Sequence, residues 1–322
     1  MRYSIILPVY NDEKRLPDCA AALMNQPCRD MEILLVDRGS EDGSRMLCQG
    51  YQAAYSDVIR AIRLKKSSLN AARNEGIRHA RGDYLLFADC DALLRPDVLA
   101  YLSEQIEKTR ADLYLLDSQG EKQGQILTLE TAPELLLEAG DARAVLWKRQ
   151  LFDDAYLRFP EEPGYDDLRL ICKGMARSRS IVQLPQPIHV SKSLPAADPR
   201  ERDLAVLDGL DDIHSYLNRR GLLECCRADL CRLAARLICD RACMVLNRRQ
   251  ETASISECME YLNSRFPEYR SIAMKPWRGC ETEKLLEWMA EGKWGRLRLI
   301  CLMKGRVPNT RKKNATAPAG KA

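Results

Sequence analysis

The chain has 322 residues, 46% of them apolar and 30% charged, with a formal net charge of +4. That length allows one large domain or two modest ones with a sizeable core. No run of about 18 apolar residues occurs, which argues against a transmembrane helix, and the apolar stretch after Met1 is too short for a leader and lacks a cleavage site. Nine basic residues and no acid lie from Lys293 to the end, so the positive charge belongs to the tail and the body is mildly acidic. A nucleic-acid-binding body, whose basic residues would spread over a face, is not expected.

In chain order, Tyr3–Pro8 is a short apolar run rich in β-branched residues and is predicted to be a buried strand. Asp12–Met24 has helical spacing at Leu16, Ala20 and Leu23. Glu32–Asp37 is a second buried strand. Asp42–Ala54 is a helix with Ser40 or Asp42 as its cap. Val58–Leu64 is a strand, Leu69–Arg81 a helix ended by Gly82, and Tyr84–Ala88 a fourth strand. Arg95-Pro96-Asp97 opens another helix. Beyond it, Asp112–Asp117 is a predicted strand, Ala132–Ala139 a helix, and Val145–Leu151 a strand or turn. Gly164–Met175 begins as a turn and continues as a helix, and Ile181–Leu184 and Ile188–Val190 are short strands. The rest is mostly helical, over about 203–219, 221–247, 254–265 and 281–292.

Strand and helix alternate, so the expected fold is α/β, a mostly parallel sheet with helices on its faces and a C-terminal helical region. The expected division is a domain over 1–192 (halves 1–110 and 111–192), a linker at 193–202, a helical region over 203–311 and a disordered end at 312–322. The 13 cysteines are odd in number and form no tight framework. They predict reduced thiols in a cytoplasmic protein. Cys225, Cys226, Cys231, Cys239 and Cys243 lack the paired CxxC spacing of a zinc site, and Cys239 and Cys243 read as buried core thiols.

In open sheets of this kind ligands sit beyond the carboxyl ends of the strands. Three polar clusters fall there: Tyr10-Asn11-Asp12, Asp37-Arg38-Gly39-Ser40 and Asp89-Cys90-Asp91. Two carboxylates two apart at a strand end can turn toward one point. As hard oxygen ligands they suit Mg²⁺ or Mn²⁺ bridging a substrate diphosphate. Taken alone, Asp-x-Asp also reads as a solvated turn or a helix cap. Asp37 could hold a ribose or base, or could merely cap the following helix. In Gly164-Tyr165-Asp166-Asp167-Leu168 the carboxylates read either as charges matched to a helix N-terminus or as a general base.

The set Ile5-Ile6-Leu7-Pro8-Val9-Tyr10-Asn11, Val36-Asp37-Arg38-Gly39-Ser40-Glu41-Asp42-Gly43-Ser44, Asn70-Ala71-Ala72-Arg73-Asn74-Glu75-Gly76 and Gly82-Asp83-Tyr84-Leu85-Leu86-Phe87-Ala88-Asp89-Cys90-Asp91 resembles glycosyltransferase family 2, of GT-A fold. The match is firm over residues 1 to about 110. It is looser to about 192, through Trp147–Phe152, Asp166-Asp167 and Gln186–His189. The resemblance implies an inverting transfer from a nucleotide-sugar donor, with Mn²⁺ or Mg²⁺ as cofactor, to a glycan or lipid-linked acceptor in surface polysaccharide biosynthesis. It implies that Pro8, Val9 and Tyr10 line the base and that Asp37 contacts the nucleoside. Arg73 and Asn74 would lie near the donor pocket, Asp89 would meet the ribose or metal, Asp91 would bind the metal, and Asp167 would be the base.

The chain departs from the family at Arg38, which replaces an Asp that often contacts uracil. A guanidinium accepts no hydrogen bond, so Arg38 would pair with a phosphate or a different base, which weakens UDP as the donor nucleotide. Ala144-Val145 stand where an Asn-Lys pair is common, Asp166 replaces a Glu, and the Gln-x-x-Arg-Trp motif of processive synthases is absent, so single additions are expected. These departures keep open a non-catalytic binding or scaffold module of the same fold. His189 is a further candidate metal ligand or a partly buried histidine. The basic tail, with Trp294, Leu297, Leu299, Ile300, Leu302 and Met303, could rest on an anionic membrane or pack on the domain. A dinucleotide-dependent oxidoreductase is excluded, because Pro8-Val9-Tyr10-Asn11 is not a glycine-rich turn.

Overall fold

A computed structural model describes residues 1–162, 164–190, 205–247, 252–274 and 282–297. The chain divides into two compact units, Met1–Asp229 and Leu230–Ala322. Helix α6 (Ala205–Arg219) packs on α5 (Asp166–Arg177) within the first unit. The expected linker at 193–202 and the tail from 298 onward lie outside the described residues.

The first unit is built on strands β1 (Tyr3–Val9), β2 (Met31–Asp37), β3 (Ile59–Arg63), β4 (Tyr84–Phe87), β5 (Leu113–Leu115), β6 (Ile126–Leu127), β7 (Val145–Lys148) and β8 (Ile181–Gln183). They form one sheet in the order β3-β2-β1-β4-β7-β5-β8-β6. Every residue of β1, β2 and β4 is buried, as expected for strands covered on both faces. The pairs β1/β2, β2/β3, β1/β4 and β5/β8 are parallel, whereas β7 runs antiparallel between β4 and β5 and β6 runs antiparallel to β8. The chain leaves β1 toward β2 and β3 and returns to β4 on the other side. The crevice at this reversal lies beyond the carboxyl ends of β1 and β4.

Helices α1 (Leu16–Met24), α2 (Ser44–Ala54), α3 (Leu69–His79) and α4 (Val98–Thr109) connect these strands. Helix α3 lies so close to β1 that a Cβ at Gly76 would meet Ile6 Cγ2 at 2.3 Å. The core beneath is Tyr3, Ile5, Leu7, Leu35, Leu86, Leu99 and Tyr114, all fully buried or nearly so. Glu32 is buried in β2 but fully occupied. Its carboxylate accepts from Ser4 Oγ at 2.6 Å, Arg81 N at 2.7 Å and Arg60 Nη1 at 3.0 Å.

Several local readings shift. Helix α1 starts at Leu16 instead of Asp12, because Asp12 O closes a turn with the amides of Arg15 and Leu16 and Pro17 fixes the first helical turn. Gly43 precedes α2, and Asp42 bonds Ser44 N from one residue outside. Helix α3 stops at His79, since Ala80 is extended. Gly82 is instead a close-approach glycine, its amide donating to Ser4 Oγ at 2.8 Å. Residues Pro133–Glu138 form a 3-10 helix, and the predicted strand at 188–190 reduces to a bridge between Leu94 and His189. Strand β6 was not anticipated, being only two residues long.

The second unit carries most of α7 (Leu223–Asn247), then α8 (Ala253–Arg265) and α9 (Thr282–Ala290). Helices α8 and α9 pack together, burying Ile255, Met259 and Leu262 on one and Leu285, Leu286 and Met289 on the other. Cys239 and Cys243 are buried as expected, and no disulfide joins two described cysteines. No described helix is long and apolar enough to cross a membrane.

Candidate active site

The parallel register sets the floor of the crevice. Val9 pairs with Asp37 across β1 and β2, and Ala88 N bonds Ile6 O across β1 and β4. Tyr10, Asp37 and Asp89 therefore leave three neighbouring strands at the same edge. Pro8 and Val9 are buried within β1, and Val9 packs in the core, because both faces of this strand are covered. Of the three residues expected to line a base, Tyr10 alone is partly exposed.

The Tyr10 ring is covered by Arg38, whose guanidinium carbon lies 4.8 Å from the ring centroid. Burial lowers the Arg38 pKa, opposed by the negative field of Asp12 and Asp89. Asp37 Oδ1 accepts from Ser40 N at 2.9 Å, while Asp37 Oδ2 is buried with no hydrogen-bond partner among the described residues. A buried, unpaired carboxylate oxygen is costly and asks for a donor.

At the end of β4, Asp89 Oδ1 accepts from Asp91 N at 3.1 Å, which turns the chain so that both carboxylates flank one bend. Asp91 is ion-paired with Arg15, which also holds Asp12. Asp89 Oδ2 lies 3.6 Å from Arg143 Nη1. Arg143 is buried and makes a bidentate pair with Asp141, at 2.7 Å for Nη2 and 3.0 Å for Nε. Burial opposes ionisation of Asp141, but the Arg143 hydrogen bonds hold its pKa below the usual carboxylate value.

His189 lies in the same field. Its Nε2 is buried without a partner. Burial first, and Arg143 second, lower its pKa to about 4, so the imidazole is neutral at pH 7. A neutral imidazole with an orphaned ring nitrogen beside carboxylates fits a divalent cation. No group of three or more His, Cys, Asp or Glu gathers as a cage among the described residues. That is compatible with Mg²⁺ or Mn²⁺, which take few protein ligands and complete their shell with water and substrate phosphates.

Asp167 faces this group at the start of α5. Its Oδ1 accepts from Arg73 Nη1 at 2.8 Å and its Oδ2 from Ala142 N at 3.1 Å. Burial raises its pKa, and Arg73 opposes the rise. The field at Arg143 includes Asp141, Asp89 and Asp167 in that order, so one guanidinium links the two aspartate clusters.

Polar residues of α3 spaced i, i+3 and i+4 all work on the segment leading to Asp167. Asn70 Nδ2 donates to Pro160 O and to Asp166 Oδ2, each at 2.8 Å. Asn74 donates to Phe159 O at 2.9 Å and accepts from Phe159 N at 3.0 Å. The Asn74 amide is thus occupied by the chain itself and braces the segment that leads to Asp167. Asp166 likewise accepts from Gly164 N at 2.7 Å, the cap-like half of the Asp pair. Sequence reasoning missed Asn70, Arg15, Asp141 and Arg143. The α3 spacing was a usable signal for the first. The others had none, because their partners are set by tertiary contacts.

Residues 4–129 match the family described as Glycosyl transferase family 2. EpsJ of Bacillus subtilis, an uncharacterized glycosyltransferase, is 26% identical over 272 residues, covering 74% of this chain and 78% of EpsJ. Poly(ribitol-phosphate) beta-N-acetylglucosaminyltransferase TarS of Staphylococcus aureus is 26% identical over 174 residues, 50% of this chain but only 30% of that protein. The crystal structure of TarS 1–349 with UDP superposes with a TM-score of 0.71 at 16% identity, covering 96% of this chain and 93% of that one. The mannosyltransferase PcManGT of Pyrobaculum calidifontis, solved with GDP-Man and Mn²⁺, gives a TM-score of 0.52 at 16% identity, with 97% and 88% covered. These likenesses carry the GT-A fold of the chain, with its C-terminal helical region.

Proposed function

We propose that this chain, whose residues 4–129 match Glycosyl transferase family 2, performs inverting, single-addition transfer from a nucleoside-diphosphate sugar, with UDP-sugar favoured, to a hydroxyl of a glycan or lipid-linked acceptor in surface polysaccharide biosynthesis. The observation that carries the reading is that Asp89 and Asp167 both act on the buried Arg143, Asp89 Oδ2 from 3.6 Å. An inverting displacement needs a base on one side of the sugar carbon and charge neutralisation on the other. The solved TarS–UDP complex supports UDP as the nucleotide.

In this reading the acceptor hydroxyl oxygen attacks the anomeric carbon and its proton passes to the Asp167 carboxylate. The bond from that carbon to the diphosphate oxygen breaks, and the nucleoside diphosphate leaves. Burial strengthens Asp167 as a base, while Arg73 and Ala142 N fix its direction. Asp37 Oδ2 takes a nucleoside hydroxyl as its missing donor. Tyr10 stacks on the base, and Arg38, already on the opposite face of that ring or swung from it, meets the diphosphate. Asp89 and Asp91, with the orphaned His189 Nε2 nearby, are the residues that would hold a divalent cation, and the chemistry it would supply is neutralisation of charge on the diphosphate.

The test is a transfer and hydrolysis assay over UDP- and GDP-sugars with Mn²⁺ or Mg²⁺, run beside the Asp167→Asn variant. Turnover of one UDP-sugar, lost in the variant, is expected. Binding without turnover of any donor would favour a scaffold role. Membrane contact by the basic tail, and a cytoplasmic location, stay part of the proposal. Equal flotation with anionic vesicles by the full chain and a variant ending at Gly292 would remove the tail from it.

A further inference from the structure

We propose that the cavity at the opposite end of the sheet from Asp89 and Asp91 is a binding site for a phosphate-class anion. It has a volume of about 450 Å³ and is lined by Arg110, Lys148, Arg177, Arg179, Arg220 and Asp112, among others. At about 30 Å³ per water that is room for roughly fifteen waters, enough for a hydrated diphosphate. A second cavity of about 200 Å³ shares Arg177, Arg179 and Arg220.

The topology brings these cations together. Arg110 ends α4 and Asp112 precedes β5. Arg177 and Arg179 bracket the end of α5, ahead of β8, and Lys148 closes the antiparallel β7 opposite Tyr84 at the start of β4. All of them sit where the parallel strands begin. Asp89 lies beyond the end of β4, about 13 Å further on for four residues at ~3.3 Å each. The cavity is therefore separate from the donor crevice.

Its charge is compensated only in part. Asp112 is the one carboxylate in the lining, and it is already occupied by Lys148 Nζ at 2.9 Å and Arg179 N at 3.0 Å. Arg177 Nη1 reaches Asp154 only at 3.6 Å, and Asp154 also feels Arg220. Arg110 and Arg179 are exposed, and no side-chain partner is seen for either among the described residues. Clustered like charges repel unless an anion joins them. Several guanidinium groups around one open cavity suit phosphate oxygens better than a lone carboxylate, since each offers a planar fork of donors.

The experiment titrates inorganic pyrophosphate into the full chain by calorimetry without divalent metal, comparing the unmodified chain with Arg38→Gln and with an Arg110→Gln/Arg179→Gln pair. Binding that persists in the Arg38 variant and weakens at least tenfold in the glutamine pair, whose melting temperature is unchanged, supports the site. Equal affinity in the glutamine pair and the unmodified chain overturns it, as does loss of binding in the Arg38 variant. Sedimentation with phosphatidic acid vesicles then assigns the source. A glutamine-pair deficit there supports a lipid headgroup, and no deficit, with the pyrophosphate result standing, supports a soluble phosphate.

Discussion

Arg73 Nη1 and Asp167 Oδ1 are 2.8 Å apart, joining the middle of α3 to the first turn of α5. The Arg73 guanidinium also lies 4.8 Å from the Phe159 ring centroid. Stacking and ion pairing together leave it little freedom, so Asp167 is aimed by a rigid helix and not by its own loop.

The first prediction concerns this pair. Asp167→Asn should lower kcat by about 10²–10⁴, the usual worth of a general base, with donor affinity within a few-fold of the unmodified chain. Burial raises the Asp167 pKa, and the base works only when deprotonated. The acid limb of kcat should therefore lie above the ordinary aspartate value of ~3.9. Arg73→Gln removes the opposing positive charge, so the limb should move to higher pH. A limb that moves to lower pH would contradict the assignment of Asp167.

The second concerns Asp91. Its side chain is half exposed and its partner Arg15 equally so, and exposed pairs contribute only about 0–1 kcal/mol. Asp91→Ala should leave the melting temperature of the free protein nearly unchanged. It should abolish the extra stabilisation that Mn²⁺ adds to UDP binding, a linkage effect set by ligand affinity. Thermal shifts with UDP, with and without Mn²⁺, check this.

The third concerns acid stability. His189 has a folded-state pKa of about 4, below the unfolded value of ~6.5. Between these values the unfolded chain binds a proton that the folded chain refuses. Stability present above pH ~6.5 is therefore lost as pH falls toward 4, by up to about 3 kcal/mol. His189→Gln should flatten this window, measured by urea unfolding at pH 7 and pH 5 with chelator present. An unchanged pH slope would show that His189 is not held neutral by the fold.

The fourth concerns the core. Glu32 is 2% exposed and bonded to Ser4, Arg81 and Arg60. Glu32→Ala removes the acceptor of Ser4 Oγ and the shorter of two acceptors of Arg81 N, while Arg60, 28% exposed, keeps His79 O, so the expected cost is about 1–3 kcal/mol. Urea denaturation reads this directly, and a loss below about 1 kcal/mol would mean that water replaces the carboxylate.

Much of the fold was legible from short-range pattern. Strands β1, β2 and β4 are continuous apolar runs because both faces are covered, and their ends differ from the expected ones by a residue or so. Local hydrogen bonding was less legible. A side chain such as Asp12 can cap, turn or pair with equal local plausibility, and which it does depends on Ser44 and Arg15 arriving beside it. The 3-10 segment at Pro133–Glu138 was read as an ordinary helix because both share nearly the same spacing of apolar residues over so short a run.

By itself, then, the order of residues determined the alternating strands and the presence of Tyr10, Asp37, Asp89 and Asp91 at one sheet edge. Each of these follows from periodicity and chain direction, which are local. Only the tertiary structure decided that Arg143 joins Asp89 to Asp141, that Arg15 holds Asp91, that Asn74 braces Phe159, and that a set of arginines crowds the far edge. Those are contacts between residues far apart along the chain. Their geometry is set by how helices settle on the sheet, and no spacing along the sequence encodes it.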